Sequence, residues 1–176
     1  QTPHLRTFRD GWRTLRFFLM YSPRWLFLIP GVLLMLIGLV GYSLALPGVS
    51  IGGATLDVHT LLFASLAILL GYQSVQFATF AKTFAIAEGL QPSNPRMDAL
   101  YRWVTLERGL AAGLLMGAVG AALLFWTIVI WWQNSFGAME YAKTMRVVIP
   151  GFTLTALGVQ TILSSFMLSI LGMARR

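Results

Sequence analysis

Arg6, Arg9, Arg13, Arg16 and Arg24 stand close together at the start of this sequence. A guanidinium presents a rigid fork of N–H donors that matches the oxygens of a phosphate, so such a cluster suits a phosphorylated ligand. It suits equally well a topological role, because cations gather on the cytoplasmic side of a membrane protein and bind bulk anionic lipid. Residue chemistry alone favours the second reading. Other reactive side chains are scarce. There is no cysteine, hence no disulfide, thiolate metal site or cysteine nucleophile, and the two histidines, His4 and His59, are too few to build a zinc site without carboxylates nearby. His59 lies beside Asp57, a pairing that invites acid–base chemistry, but the simpler reading is a solvated boundary residue. Glu88, Asp98 and Glu107 share one loop, with neither metal-ligand spacing nor a nucleotide-binding glycine pattern. No catalytic residue and no metal ligand is assigned.

A second group of polar side chains, Gln73, Gln76 and Gln160, falls inside strongly apolar stretches, with Tyr72, Ser74, Thr161, Ser164, Ser165 and Ser169 close by. An amide in hydrocarbon must find a partner, so these predict hydrogen bonds between helices; the functional alternative is a polar track. No carboxylate, lysine or arginine lies near the centre of these stretches, and a proton-coupled transporter would lack its ionisable relay. Gly109, Gly113 and Gly117, at intervals of four with Gly120 beside them, predict a face that another helix approaches closely, in the same chain or in a second copy.

The elements that must position these residues follow from hydropathy. The chain is 57% hydrophobic with 11% charged residues, far below the roughly 25% charged of a soluble domain. Four stretches, 25–46, 58–81, 109–132 and 147–173, exceed the roughly 20 apolar residues needed to cross a bilayer as a helix. Long apolar runs without alternation exclude a transmembrane β-barrel, leaving an all-α integral membrane fold. Eleven of the 13 Lys and Arg fall on the side of the two termini and the central loop, and only Lys143 and Arg146 on the other. The positive-inside rule therefore predicts cytoplasmic termini in a multi-pass protein. The formal net charge of +7 is read as affinity for anionic lipid rather than nucleic acid.

Two amphipathic segments precede the odd-numbered spans. Leu5, Phe8, Trp12, Leu15 and Leu19 share one helical face opposite the first four arginines, as in an interfacial helix. Asn94 and Pro95 suit a helix start ahead of Met97, Leu100, Tyr101 and Val104. The expected organisation is a basic interfacial helix at 1–24, a first transmembrane hairpin at 25–81, a cytoplasmic loop with the second interfacial helix at 82–108, and a second hairpin with a basic tail at 109–176. The segment Leu70-Gly71-Tyr72-Gln73-Ser74 returns as Leu157-Gly158-Val159-Gln160-Thr161, suggesting that the halves repeat. The first residue is glutamine and no signal-peptide pattern opens the chain, which reads as part of something longer.

The run from His4 to Pro23, followed by Trp25-Leu-Phe-Leu-Ile-Pro-Gly31, resembles the junction between the catalytic and membrane regions of bacterial family 2 glycosyltransferases of the dolichol- or polyprenyl-phosphate hexose synthase type. Asp57-Val-His-Thr-Leu-Leu-Phe-Ala-Ser65, Leu70-Gly-Tyr-Gln73 and Thr161-Ile-Leu-Ser-Ser-Phe166 resemble that family's membrane region. The resemblance implies an enzyme of the bacterial cytoplasmic (inner) membrane that moves a hexose from a nucleotide sugar to polyprenyl phosphate. It also implies an N-terminal GT-A domain holding a divalent metal, Mg or Mn, through an Asp-x-Asp motif; this sequence contains no such motif and no cofactor site of its own. These residues would then anchor that domain and present the lipid acceptor, with Arg6, Arg9, Arg13 and Arg16 as candidates for its phosphate. The alternatives are a stand-alone membrane protein that binds or translocates a lipid-linked sugar, and a structural module that forms homo-oligomers through the glycine face.

Overall fold

The structure, a computed structural model, describes residues 24–92 and 105–173 together with Gly11, Trp12, Thr14 and Ser22. Arg6, Arg9, Arg13 and Arg16 lie outside the described residues, as do the second interfacial segment and, apart from Gly11, Trp12 and Thr14, the first.

Among the described residues the fold is formed by four long helices: α1 (Ile29–Ala45), α2 (Val58–Ala87), α3 (Leu106–Gln133) and α4 (Tyr141–Met173). All four, with α1 counted from Arg24, are long and apolar enough to cross a membrane. A π-helical turn, Arg24–Leu28, leads into α1, which has Pro30 in its first turn. Proline lacks an N–H and its ring crowds the carbonyl four residues back, so a widened turn at that point relieves the clash. Pro150 is carried inside α4, which begins six residues before the predicted span and includes Lys143 and Arg146. The loop predicted at 47–57 holds a small addition to the helical fold, a two-residue ladder pairing Ser50 with Thr55 and Ile51 with Ala54. Gly52 and Gly53 turn it with φ of 59° and 88°, the left-handed pair that tight hairpins need.

The helix ends are set by local chemistry. Thr105 caps α3, its side chain accepting from the Arg108 N–H at 3.3 Å, and Glu107 sits in the first turn, where a negative charge is favourable. α2 ends on Gly89 at φ 69°, with the Leu90 N–H bonded to Ala85 O and the Gly89 N–H to Ile86 O. That is the Schellman pattern. α3 ends the same way through Ser135 and Phe136, at φ 52° and 59°, where the N–H of Phe136 reaches Trp131 O.

α1 packs on α2, α2 on α4, and α4 on α3, so the helices stand in the order α1, α2, α4, α3. The two hairpin interfaces are extensive and the central α2–α4 interface is narrower. Near the connecting loops α1, α2 and α4 meet in a small apolar core of Ala45, Val58, Leu61 and Ile149. Elsewhere large apolar side chains point outward, Phe63 at 74% and Leu115 at 68% exposure among them, as surfaces in contact with acyl chains should.

The two hairpins use one packing register. Positions where an added Cβ would meet backbone of the facing helix are Gly31 against Gly71 and Gly38 against Ala64 and Ile68 in the first hairpin. In the second they are Gly113 against Gly158 and Gly120 against Gly151 and Thr155. Gly31 and Gly38 precede Gly113 and Gly120 by 82 residues, while Ala64, Ile68 and Gly71 precede Gly151, Thr155 and Gly158 by 87. The second of these spacings is the one that relates Leu70–Ser74 to the segment ending at Thr161.

Candidate functional site

The polar side chains of the spans gather along the seam between the two hairpins, where α2 faces α4. At the loop end Asp57, immediately before α2, takes both Nε and Nη2 of Arg146 on one carboxylate oxygen, each at 3.0 Å. Arg146 comes from α4 and also packs over Gly48, so it ties the first connecting loop to the second hairpin. Asp57 is therefore engaged by an arginine 89 residues away, while His59 is exposed. Lys143 pairs likewise with Glu140 at 2.7 Å, and the two cations of this end each face a carboxylate.

Further along the seam the Tyr42 hydroxyl lies 2.7 Å from Ser65 Oγ and 3.0 Å from Thr153 Oγ1. Ser65 and Thr153 each donate to the carbonyl four residues back in their own helix, so the tyrosine proton is shared between their oxygens. Tyr72 donates to Thr161 Oγ1 at 2.7 Å, since the threonine proton is committed to Leu157 O. Gln76, 8% exposed, reaches the backbone carbonyl of Gln160 at 3.4 Å. These rungs join helices that hydrocarbon alone would not hold together, and in lipid such bonds are worth about 0.6 kcal/mol on average.

Of the three glutamines singled out from sequence, Gln76 and Gln160 meet across this seam. Gln73 is half-buried and makes no hydrogen bond among the described residues. The side-chain oxygen of Gln160 is buried without a partner among the described residues. Gln160→Leu is expected to raise stability by about 1 kcal/mol, because it deletes an unsatisfied acceptor and keeps the carbonyl that Gln76 uses. Thermal unfolding in detergent would show it, and a lowered midpoint would contradict it.

The glycine face of α3 is filled by α4 of the same chain. Gly109 is set against Ser165, Gly113 against Ile162 and Gly158, and Gly120 against Gly151 and Thr155. Gly117 differs: its backbone touches Gly158, but the side a Cβ would occupy is open. Among the described residues no group of three histidine, aspartate or glutamate side chains could hold a metal ion. Glu88 and Glu107 are exposed at helix ends.

Four lipid-length helices whose inner polar groups bond one another make this a multi-pass membrane module. Residues 79–172, more than half of the chain, match the family described as the glycosyltransferase family 2 C-terminal transmembrane region, and the chain belongs to that family. It is also 34% identical over 181 residues to the low-salt glycan biosynthesis hexosyltransferase Agl6 of Haloferax volcanii. That match covers 96% of this chain and 40% of the relative, so the chain spans less than half of the relative's length. No solved structure matches the chain.

Proposed function

We propose that this chain anchors a family 2 glycosyltransferase in the cytoplasmic membrane and presents polyprenyl phosphate to it, both termini being cytoplasmic. The observation that carries the reading is the similarity to a hexosyltransferase along nearly the whole chain, within a match that takes up 40% of that relative. A membrane module joined to a larger nucleotide-sugar domain would give those proportions. Hexose transfer, with Mg or Mn to assist it, belongs to that domain. The module's contribution is positional. A polyprenyl phosphate keeps its hydrocarbon in the bilayer, so its phosphate must meet the donor sugar at the membrane surface. Arg6, Arg9, Arg13 and Arg16, whose spacing in the sequence suits one face of an interfacial helix before the first span, would supply forked donors at that height.

The test is transfer of radiolabelled sugar from nucleotide sugars to undecaprenyl phosphate by the intact enzyme in membranes. Replacing the four arginines together with glutamine is expected to raise the apparent KM for the lipid at least tenfold with kcat retained, since losing a single charge-assisted hydrogen bond costs about 1.5–3 kcal/mol and about 1.4 kcal/mol is a factor of ten. An unchanged lipid requirement would reduce the arginines to topology signals. Absence of any glycolipid from the unaltered enzyme would overturn the glycosyltransferase reading and favour a protein that moves or binds a lipid-linked sugar.

A further inference from the structure

Each hairpin is stiff within itself, because its two helices meet backbone to backbone. An added Cβ would stand 2.8 Å from Gly71 O at Gly31 and 2.6 Å from Gly113 O at Gly158. Close approach of this kind is a main source of helix association in lipid. The nearest neighbours of Gly71, Gly151 and Gly158 all belong to the partner helix of the same hairpin. The glycines of α2 and α4 therefore serve the hairpins, and the narrower seam between the hairpins is held by side chains instead.

That seam changes character along its length. At the loop end it is fixed in three ways. Ala45, Val58, Leu61 and Ile149 pack together at no more than 4% exposure, Asp57 holds Arg146 by two contacts of 3.0 Å, and the Tyr42 hydroxyl joins Ser65 of α2 to Thr153 of α4. Gln76 lies 19 residues beyond Asp57, about 28 Å along α2 at 1.5 Å per residue. Its bond to Gln160 O, at 3.4 Å, is the longest of those described across the seam. Beside it the Gln160 side-chain oxygen is buried with no partner among the described residues. A buried acceptor left unsatisfied disfavours the closed arrangement, and it regains a donor when the helices part. The seam is thus firm at one end and weakly held at the other.

We propose that the two hairpins are rigid bodies hinged at the loop end on Asp57 and Arg146 and latched by Gln76 and Gln160, so that the seam parts at the end where α1 begins and α4 finishes. Closure of rigid bodies about a hinge is a common conformational change, and membrane folds built of repeats rock one repeat on the other. With a lever of about 28 Å, a rotation of about 10° separates the latch by about 5 Å. The hinge does not depend on the membrane orientation or the acceptor site proposed above.

These residues contain no cysteine, so paired spin labels report on them alone once any cysteine elsewhere in the intact protein is replaced. Pulsed dipolar spectroscopy in nanodiscs compares three pairs of exposed positions. His59→Cys with Lys143→Cys spans the seam at the loop end, Phe84→Cys with Ile170→Cys spans it at the other, and Ala111→Cys with Leu163→Cys lies within the second hairpin. A second population about 5 Å longer is expected for the Phe84–Ile170 pair, with a single distance for each of the others. Gln160→Leu, which deletes the unsatisfied acceptor and keeps the carbonyl that Gln76 uses, is expected to lower the longer population about fivefold. A single distance at Phe84–Ile170 would overturn the proposal. So would equal broadening of all three pairs, which marks general looseness, or a longer population that Gln160→Leu leaves unchanged.

Discussion

Gly158→Leu is expected to part the second hairpin, while Gly117→Ala, in the facing helix, leaves the protein as stable as before. A Cβ on Gly158 would stand 2.5 Å from the backbone nitrogen of Gly117 and 2.6 Å from the carbonyl oxygen of Gly113. Backbone cannot yield as a flexible side chain can, so α3 and α4 must move apart and surrender their close contact. Overpacking of this kind costs typically 1–3 kcal/mol, and leucine against backbone belongs at or above the upper end, about 3 kcal/mol. A Cβ on Gly117 meets nothing within 4 Å, so alanine there should change stability by no more than about 0.5 kcal/mol. Unfolding free energies of the two variants in bicelles decide the matter. Equal losses would mean that the helices do not cross as described. Because the partner helix is in the same chain, the loss should also be independent of protein concentration.

Breaking the Asp57–Arg146 pair is expected to give the second largest effect. Both side chains are about one-third exposed, between the surface regime and the fully buried one, and the guanidinium makes two contacts of 3.0 Å to one oxygen. Asp57→Asn and Arg146→Gln should each cost about 1–2 kcal/mol, with a coupling of about 1 kcal/mol in a double-mutant cycle. Gly48→Ala should produce a similar loss by a different route. Its φ of 72° disfavours any side chain, and the added carbon would stand 2.7 Å from Arg146 Nη2. A cycle showing strict additivity between Asp57→Asn and Arg146→Gln would mean that the pair does not join the hairpins.

The four spans were legible because hydrocarbon thickness imposes a minimum apolar length, and hydropathy reads that directly. The start of α4 was not. Tyr141–Arg146 is a polar turn and a half that continues the helix past the lipid, where apolar content carries no signal. The glycine face was legible in kind and inexact in membership. At about 100° per residue, intervals of four drift by about 40°, so Gly117 swings about 80° from Gly109 while Gly120 returns to within about 20°. That is why Gly120, and not Gly117, sits flush against α4. The polar residues of the spans were visible singly. Their pairing across the seam, Tyr72 with Thr161 or Asp57 with Arg146, spans 89 residues, and residue chemistry does not say which donor meets which acceptor at that separation. Asp57 was grouped with its sequence neighbour His59 for that reason.

The order α1, α2, α4, α3 makes the module a fence rather than a post. A closed four-helix cluster shields most of each helix with protein, whereas among the described residues the flanking helices each have one principal protein neighbour and large apolar side chains point outward along them. Much of the lateral support of the module is thus supplied by its solvent. Its melting temperature should follow the length and saturation of the host lipids more steeply than that of a closed cluster, and a detergent must wrap two walls to keep it upright.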